Sequence, residues 1–147
     1  MNATPEQSFV LAPEFEEDSK FIMRLGLSQL RLMNDARFPW LLLIPEINGL
    51  EEWIDLQGDH LRQMTVEIEW ASRALLSLSA PNKLNVASLG NIVRQLHIHV
   101  VARKIGDAAW PGPVWGAGSA VPYPEETLNE LCGQIRELVS QIAQSRS

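Results

Sequence analysis

The amino-acid sequence predicts a single α+β domain, residues 1–147, in which helices cover one side of an antiparallel sheet. Three observations support this fold class. Some segments have apolar residues at every second position, as half-buried strands do. Two other segments have them three and four positions apart, as amphipathic helices do. The elements follow the order strands, helix, strands, helix, with several short connections.

The charge and the cysteine content limit the partners and the compartment. A net charge of −6 argues against charge-driven binding to nucleic acid or to anionic membranes. The single cysteine, Cys132, cannot form an internal disulfide and lies in a helical apolar pattern. The N-terminus lacks the features of a signal peptide, and the apolar run at residues 38–45 is too short to span a bilayer. We therefore expect a soluble cytoplasmic protein with no nucleic-acid or membrane partner.

The first third of the chain predicts an arm followed by strands. Residues 1–17 are polar and interrupted by prolines, which is typical of a loosely ordered N-terminal arm. Apolar residues between positions 21 and 32 recur mainly with the period of a strand. A turn at residues 34–35 leads to the apolar run 40–44, which ends at Pro45. We expect this last strand to be central and buried on both faces.

Two long helices are predicted, a central one over residues 59–79 and a C-terminal one from about residue 124. Pro124 suits the start of a helix, and the two glutamates after it are favourable to the helix dipole. His60 is interpreted as an exposed residue of the first turn. Glu67 lies off the apolar stripe and is interpreted as part of a solvated surface.

The segment between the helices predicts two strands and a loop. Residues 83–87 suit a short strand, and a glycine-containing turn follows at residues 88–91. Residues 94–103 form the clearest strand pattern in the chain. A loop rich in proline and glycine then spans residues 106–124.

The strand at residues 94–103 carries the residues with the most chemistry. Because side chains alternate along a strand, Gln95, His97 and His99 share one face. Neighbours on that face are about 6–7 Å apart. Val101 and Arg103 extend the same face, while the intervening apolar residues point to the other one.

Three interpretations of the two histidines are open. They fit half-buried strand residues with satisfied hydrogen bonds. They also fit a zinc site, although no third cysteine or histidine ligand is evident. Finally, a neutral imidazole is a good nucleophile toward phosphorus near neutral pH, and a second histidine can bind a phosphate oxygen.

Residues 85–101, which include the glycine turn and the two-histidine strand, resemble the signature of the histidine triad (HIT) superfamily. Residues 38–45 are similar to the apolar strand of that family, which ends in proline. Residues 107–111 are similar to a tryptophan loop of a bacterial branch. The resemblance covers about residues 20–116.

The resemblance implies a sheet of about five antiparallel strands with two main helices, usually in a homodimer. It also implies a nucleotide phosphate hydrolase or transferase that acts on dinucleoside polyphosphates, such as diadenosine polyphosphates, or on nucleoside phosphoramidates. His97 would be the nucleophile that forms a nucleotidyl-histidine intermediate, and His99 would bind phosphate oxygens. No cofactor or metal is required by this chemistry.

Further residues are candidates for the nucleotide or phosphate site. Asn91 lies where the family often has a phosphate-contacting glutamine, and Asn85 lies where a polar residue is near the nucleotide. The backbone at Gly90 offers amide groups. Arg103 offers a positive charge, although it equally suits a surface position. Trp110 is a candidate for stacking on a base, whereas we expect Trp115 to anchor its loop. The candidates for the nucleotide or phosphate site are therefore Asn85, Gly90, Asn91, Arg103 and Trp110.

Three residues depart from the family pattern. Gln95 occupies the first histidine position, so the resemblance places it in the catalytic set with His97 and His99, where it can orient groups but cannot titrate. Ile92 replaces a serine or threonine that assists the leaving group, and Trp40 replaces another histidine. These departures motivate an alternative function, namely a nucleotide-binding or scaffolding module with little or no catalysis.

Overall fold

The computed structural model describes residues 7–146 and has the predicted α+β fold. The described residues form one antiparallel sheet of five strands with the order β1-β2-β3-β5-β4. The strands are β1 (Ser19–Arg24), β2 (Ser28–Met33), β3 (Trp40–Pro45), β4 (Lys83–Ala87) and β5 (Ile98–Arg103). The helices are α1 (Pro13–Asp18), α2 (Asp59–Ser79) and α3 (Glu125–Ser145), with a short 3₁₀ helix at Trp53–Asp55.

Strand β3 lies at the centre of the sheet, as its sequence predicts. It pairs with β2 on one side and with β5 on the other. All six of its residues are buried, because helices cover one face and other segments cover the opposite face. A run of consecutive apolar residues suits this two-sided burial.

Helices α2 and α3 pack on one face of the sheet and enclose the main core. The sheet contributes alternate residues of β3 and β5 to this core, including Leu41, Leu43, Ile98 and Val100. Both long helices were predicted from the apolar stripes that they bury here. The limits of α2 are those predicted, and Pro124 lies at the N-cap of α3 rather than in its first turn.

The opposite face of the sheet, called the outer face, carries a smaller apolar cluster that no long helix covers. Phe38, Trp40, Leu42 and Val101 form its base. The N-terminal segment and the loop around Val114 pack over them. The cavity described below opens on this face.

The predicted loose arm over residues 1–17 differs from the structure where the structure describes it. Residues 13–17 belong to α1, and Phe15 is buried against the outer face of the sheet. Residues 7–12 are held by hydrogen bonds to Asn48 and Gln95. Residues 1–6 lie outside the described residues. Buried apolar residues and long-range hydrogen bonds therefore order a segment whose composition is that of an arm.

Strand β5 begins at Ile98, four residues later than predicted. Its pairing with β3 begins at the Leu43–Ile98 pair, and before that point the Leu96 amide donates to the Leu50 carbonyl outside the sheet. The alternation of faces nevertheless continues before the strand. Leu96 is buried in the helix-side core, whereas His97 lies on the opposite face.

Glu67 on α2 is buried, so the prediction that it belongs to a solvated surface is wrong. Its carboxylate accepts hydrogen bonds from the backbone amides of Leu27 and Ser28, both at 2.8 Å. The Gln63 side chain donates a third bond at 2.8 Å. The carboxylate thus satisfies two buried amides at the start of β2, where a helical periodicity alone gives no sign of them.

We predict that Glu67→Ala lowers the free energy of unfolding by about 2–4 kcal/mol, because two buried backbone amides lose their acceptor. Chemical denaturation measures the change. Glu69→Ala is the matched control on the same helix, since the Glu69 ion pairs with Arg73 and Arg146 are exposed. The control should cost about 1 kcal/mol or less. Equal losses in the two variants would contradict the role of Glu67.

Candidate active site

A cavity of about 600 Å³ opens on the outer face of the sheet, and both predicted histidines line it. Its walls come from the end of α1, the β2–β3 turn, the loop before β5 and the loop before α3. The residues of these walls include Glu17, Asp18, Asp35, Arg37, Trp40, Gly90, Asn91, Ile92 and Trp115.

The two histidines lie next to each other at the base of the cavity. Their ring centroids are 4.8 Å apart, with planes inclined at 68°. His97 is 7% exposed and His99 is 5% exposed. The structure therefore confirms that both rings lie on one face, although His97 precedes the strand itself.

The surroundings of His97 fix the position of its proton. Its Nδ1 lies 2.7 Å from the backbone carbonyl oxygen of Gln95. Because a carbonyl oxygen only accepts hydrogen bonds, Nδ1 carries the hydrogen, and Nε2 of the neutral ring keeps a lone pair. Burial lowers the pKa of His97, outweighing the hydrogen bond to Gln95, which raises it. His97 is thus a neutral imidazole at neutral pH, with the Nε2 lone pair free of a hydrogen.

The surroundings of His99 fix the opposite arrangement. The indole Nε1 of Trp40 donates to Nδ1 of His99 at 3.0 Å. Since an indole nitrogen only donates, Nδ1 carries no hydrogen and Nε2 of the neutral ring is protonated. Burial, together with the proximity of His97, lowers the pKa of His99 to about 3. His99 is therefore a neutral hydrogen-bond donor.

The two rings offer complementary groups to the same cavity. His97 has a lone pair on Nε2, and His99 has a hydrogen on Nε2. Attack on phosphorus needs a nucleophile together with donors that stabilise charge on the phosphoryl oxygens. The arrangement supplies both from neutral side chains.

Gln95, predicted as a member of the catalytic set, does not line the cavity. Its side-chain amide bonds instead to the N-terminal segment, donating to the Val10 carbonyl at 2.8 Å and accepting from the Ala12 amide at 2.9 Å. Only its backbone carbonyl contacts His97. Because β5 begins later than predicted, residue 95 does not follow the line of the strand.

Arg103, Asn85 and Trp110 form a separate cluster that does not line the cavity. The Arg103 guanidinium donates to both carboxylate oxygens of Asp107, at 2.8 and 2.9 Å, and to Asn85 Oδ1 at 2.9 Å. It also lies 5.6 Å from the Trp110 ring centroid. The hydrogen bond from Arg103 lowers the pKa of Asp107 to about 2. Arg103 thus contacts the other two predicted residues, Asn85 and Trp110, at the far end of β5.

Gly90 and Asn91, the predicted phosphate-site residues, line the cavity on the turn before β5. Gly90 has a φ of 76°, a conformation that favours glycine. Ile92 also lines the cavity and is 95% exposed. This turn therefore presents backbone and amide groups on one side of the histidines and an apolar side chain at the rim.

Two aromatic rings complete the wall beside His99. The Trp115 centroid is 5.1 Å from that of His99 and 6.1 Å from that of Trp40. Trp115 anchors its loop to the chain, as expected, and it does so on a site residue. His60, by contrast, is exposed at the start of α2, where it was predicted.

Asp35 and Arg37 were not identified from the sequence as site residues. Arg37 Nη2 contacts the Asp35 carboxylate at 2.8 Å, and Arg37 donates to the Ala117 carbonyl. Asp35 also accepts from the Val121 amide at 3.3 Å. The pair therefore fixes the loop that carries Trp115. The available signal in the sequence was a pair of opposite charges, with Asp35 in the predicted turn and Arg37 two positions after it.

Within residues 7–146, no group of three or more histidine, cysteine, aspartate or glutamate side chains is arranged to hold a metal ion. In the same part of the chain, none of the helices combines the length and the apolar character needed to cross a bilayer.

Comparisons with known proteins agree on one family. A model of the HIT domain matches residues 14–106. A solved HIT protein from Sinorhizobium meliloti is 44% identical, with a TM-score of 0.85 over 88% of this chain and 96% of that chain. Another, from Marinobacter aquaeolei, is 36% identical, with a TM-score of 0.88 over 92% of this chain and 98% of that chain.

A curated relative gives a more distant match. The AP-4-A phosphorylase of Mycobacterium tuberculosis is 27% identical over 119 residues, which cover 73% of this chain. The match spans 58% of the length of that relative.

We predict that the free energy of unfolding falls as the pH is lowered from about 6.5 to 4.5. Unfolded His99 binds a proton near pH 6.5, whereas folded His99 binds one only near pH 3. The unfolded chain therefore binds more protons in this window. Each histidine lowers the free energy of unfolding by at most about 1.4 kcal/mol for each pH unit. His99→Gln, measured by denaturation at several pH values, should reduce the slope. An unchanged slope would contradict the neutral, buried state of His99.

Proposed function

Because this chain belongs to the histidine triad (HIT) family, we propose that it hydrolyses or transfers nucleotide phosphate groups through a nucleotidyl-histidine intermediate. One observation carries the proposal. His97 and His99 line the same cavity with opposite hydrogen positions, so that one ring attacks and the other donates. The name of the Mycobacterium relative is consistent with a dinucleoside polyphosphate substrate.

The first step is attack of His97 Nε2 on the α-phosphorus of the nucleotide. A nitrogen–phosphorus bond forms as the bond from phosphorus to the leaving group breaks, and the leaving group takes the bonding electrons. The Nε2 hydrogen of His99 and the backbone amides near Gly90 stabilise the charge on the phosphoryl oxygens. Positioning and charge stabilisation provide most of the catalysis in such a reaction.

The second step returns His97 to its starting state. A water oxygen attacks the phosphorus, the nitrogen–phosphorus bond breaks, and the water proton is released to solvent. The products are a nucleoside monophosphate and neutral His97. If another nucleophile replaces water, the same step is a transfer. No step uses a cofactor.

The residues near the leaving group favour substrates that depart as phosphates. Expulsion of an amine requires a proton on its nitrogen, whereas a phosphate leaves as an anion. Ile92 at the rim has no hydroxyl group, and the Gln95 side chain is turned away. We therefore place dinucleoside polyphosphates, including diadenosine polyphosphates, before nucleoside phosphoramidates.

The carboxylates at the cavity mouth disfavour an anionic polyphosphate substrate, but only weakly. Glu17 and Asp18 are exposed carboxylates, and Arg37 is paired with Asp35. Exposed charges are screened by water and salt, so each contributes about 1 kcal/mol or less. The lack of a general acid for an amine leaving group lowers the rate by about 10²–10⁴-fold, which is a larger effect than that of each exposed charge.

Two further features belong to the same proposal. A second copy of the chain is the expected partner, and β4 is a sheet edge whose Val86 is 49% exposed, which suits pairing between copies. The competing function is a nucleotide-binding or scaffolding module, which the positions of Ile92 and Gln95 favour. Calorimetry that shows tight nucleotide binding without product release would identify that module.

We predict that the protein incubated with a dinucleoside polyphosphate forms a nucleotidyl adduct or turns the substrate over, and that His97→Ala abolishes both. Intact-mass measurement detects the adduct, and chromatography detects the products. His60→Ala is the matched control, because His60 is exposed and outside the cavity. Turnover by the His97→Ala protein, or neither adduct nor turnover by the unmodified protein across a nucleotide panel, would refute the proposal.

A second prediction concerns the leaving group. An alkylamine phosphoramidate of the same nucleotide should react at least about 10²-fold more slowly than the dinucleoside polyphosphate, because no group near Ile92 protonates the amine. Ile92→Ser should raise the phosphoramidate rate selectively, whereas Ile92→Ala should not. Steady-state kinetics on both substrates gives the ratio. Equal rates in the unmodified protein would show that a proton donor is present.

A further inference from the structure

Two side-chain amides lie in succession along the extended N-terminal segment. The Asn48 amide donates to the Ser8 carbonyl and accepts from the Val10 amide, both at 3.0 Å. The Gln95 amide donates to the Val10 carbonyl at 2.8 Å and accepts from the Ala12 amide at 2.9 Å. Each side chain thus binds the carbonyl of one residue and the amide of the second residue after it. A neighbouring β-strand makes the same bonds, so the two side chains substitute for a strand.

The held segment leads directly onto the nucleophile. Helix α1 begins at Pro13, immediately after the amide that Gln95 accepts from. Phe15, in the first turn, is 4% exposed and packs edge-on against His97, with ring centroids 4.7 Å apart and planes inclined at 66°. The backbone carbonyl of Gln95 meanwhile accepts from Nδ1 of His97. Gln95 therefore affects His97 in two ways. Its backbone carbonyl binds the ring directly, and its side chain holds the segment that leads to Phe15.

We propose that Gln95 is a positioning residue for His97, because its side chain holds the N-terminal segment that places Phe15 on the imidazole. The inference rests on the proposed function only for its kinetic readout. The Phe15 ring and the Gln95 carbonyl together restrict rotation of the imidazole. Because Nδ1 is bound to that carbonyl, Nε2 is the nitrogen left for a ligand in the cavity that His97 lines.

The chemistry of the side chain suits this task. A primary amide offers a donor and an acceptor side by side, which match a carbonyl and an amide on one edge of an extended chain. An imidazole has its two nitrogens on different sides of the ring and cannot make this pair of bonds. A carboxylate only accepts. The match of glutamine to the segment is independent of any catalytic role for its side chain.

Phe15, which covers His97, also limits the hydration of this ring. Burial is the main cause of the lowered pKa of this ring, and Phe15 supplies part of that burial. The ionisable groups that line the same cavity as His97 are His99 on β5, Glu17 and Asp18 on α1, and Asp35 and Arg37 in the β2–β3 turn. None of them belongs to segment 7–12, so release of that segment changes hydration more than charge.

The test compares Gln95→Ala and Asn48→Ala with the unmodified chain. NMR titration of the three histidine rings, assigned with His60→Ala, measures the pKa of His97, and the pH profile of kcat/KM measures its catalytic state. In Gln95→Ala we expect the His97 pKa to rise toward its ordinary value and the acid limb of the profile to move with it. We also expect kcat/KM at neutral pH to fall about tenfold, as for the loss of two hydrogen bonds.

Asn48→Ala should move both readouts in the same direction by a smaller amount, because it loosens the same segment further from Phe15. Asn82→Ala is the matched control. Its amide also fixes a loop, by accepting from the Ile105 amide at 3.0 Å, but that loop is not in the cavity wall. This control should leave the His97 titration unchanged. If Gln95→Ala does not fold, Phe15→Leu and Asn48→Ala must both raise the His97 pKa.

The outcomes separate the two proposals. An unmoved His97 titration in Gln95→Ala and Asn48→Ala overturns the positioning role. Loss of activity in Gln95→Ala alone, without a titration shift, also overturns it and makes Gln95 a substrate contact. If the unmodified protein has no activity but the titration shifts as expected, the positioning role holds and the proposed function fails.

Discussion

The pairing of β3 with β5 is the constraint on which the site depends. In this register Leu42 lies opposite His99, and Trp40 lies opposite Val101, so that Trp40 is the diagonal neighbour of His99 on the outer face. The indole hydrogen bond to His99 exists only in this register. A slip of one residue would turn the histidines into the helix-side core. The alternation along β5 opposes that slip, because it places Ile98 and Val100 in the helix-side core and His99 on the outer face.

The histidines gain their chemistry from neutral surroundings. A carbonyl oxygen and an indole N–H, neither of which is charged, set opposite hydrogen positions on His97 and His99. Burial then keeps both rings unprotonated. This environment lowers stability in acid, since the unfolded chain binds protons more readily. The site therefore loses some stability in acid but holds two neutral imidazoles with opposite hydrogen positions at neutral pH.

The outer face of the sheet is closed by irregular segments, and polar contacts fix them. Side-chain amides hold the N-terminal segment, and the Asp35–Arg37 pair holds the loop that carries Trp115. At the far end of β5, Arg103 binds Asp107. These contacts satisfy backbone groups that a helix or a strand would satisfy internally. As a result the cavity has a defined wall without a second layer of helices.

The sequence by itself determined the α+β class, the limits of α2, the central position of β3 and the shared face of His97 and His99. These features follow from local periodicity, which a helix or strand must satisfy wherever it lies. Tertiary structure decided the partners of polar side chains, because each has many chemically equivalent candidates and the choice depends on residues distant in sequence. The 83-residue separation between Gln95 and Ala12 is an example. The same reason explains the buried state of Glu67 and the order of the N-terminal segment; the candidate site residues whose contacts only the tertiary structure revealed are Asn85, Gln95, Arg103 and Trp110.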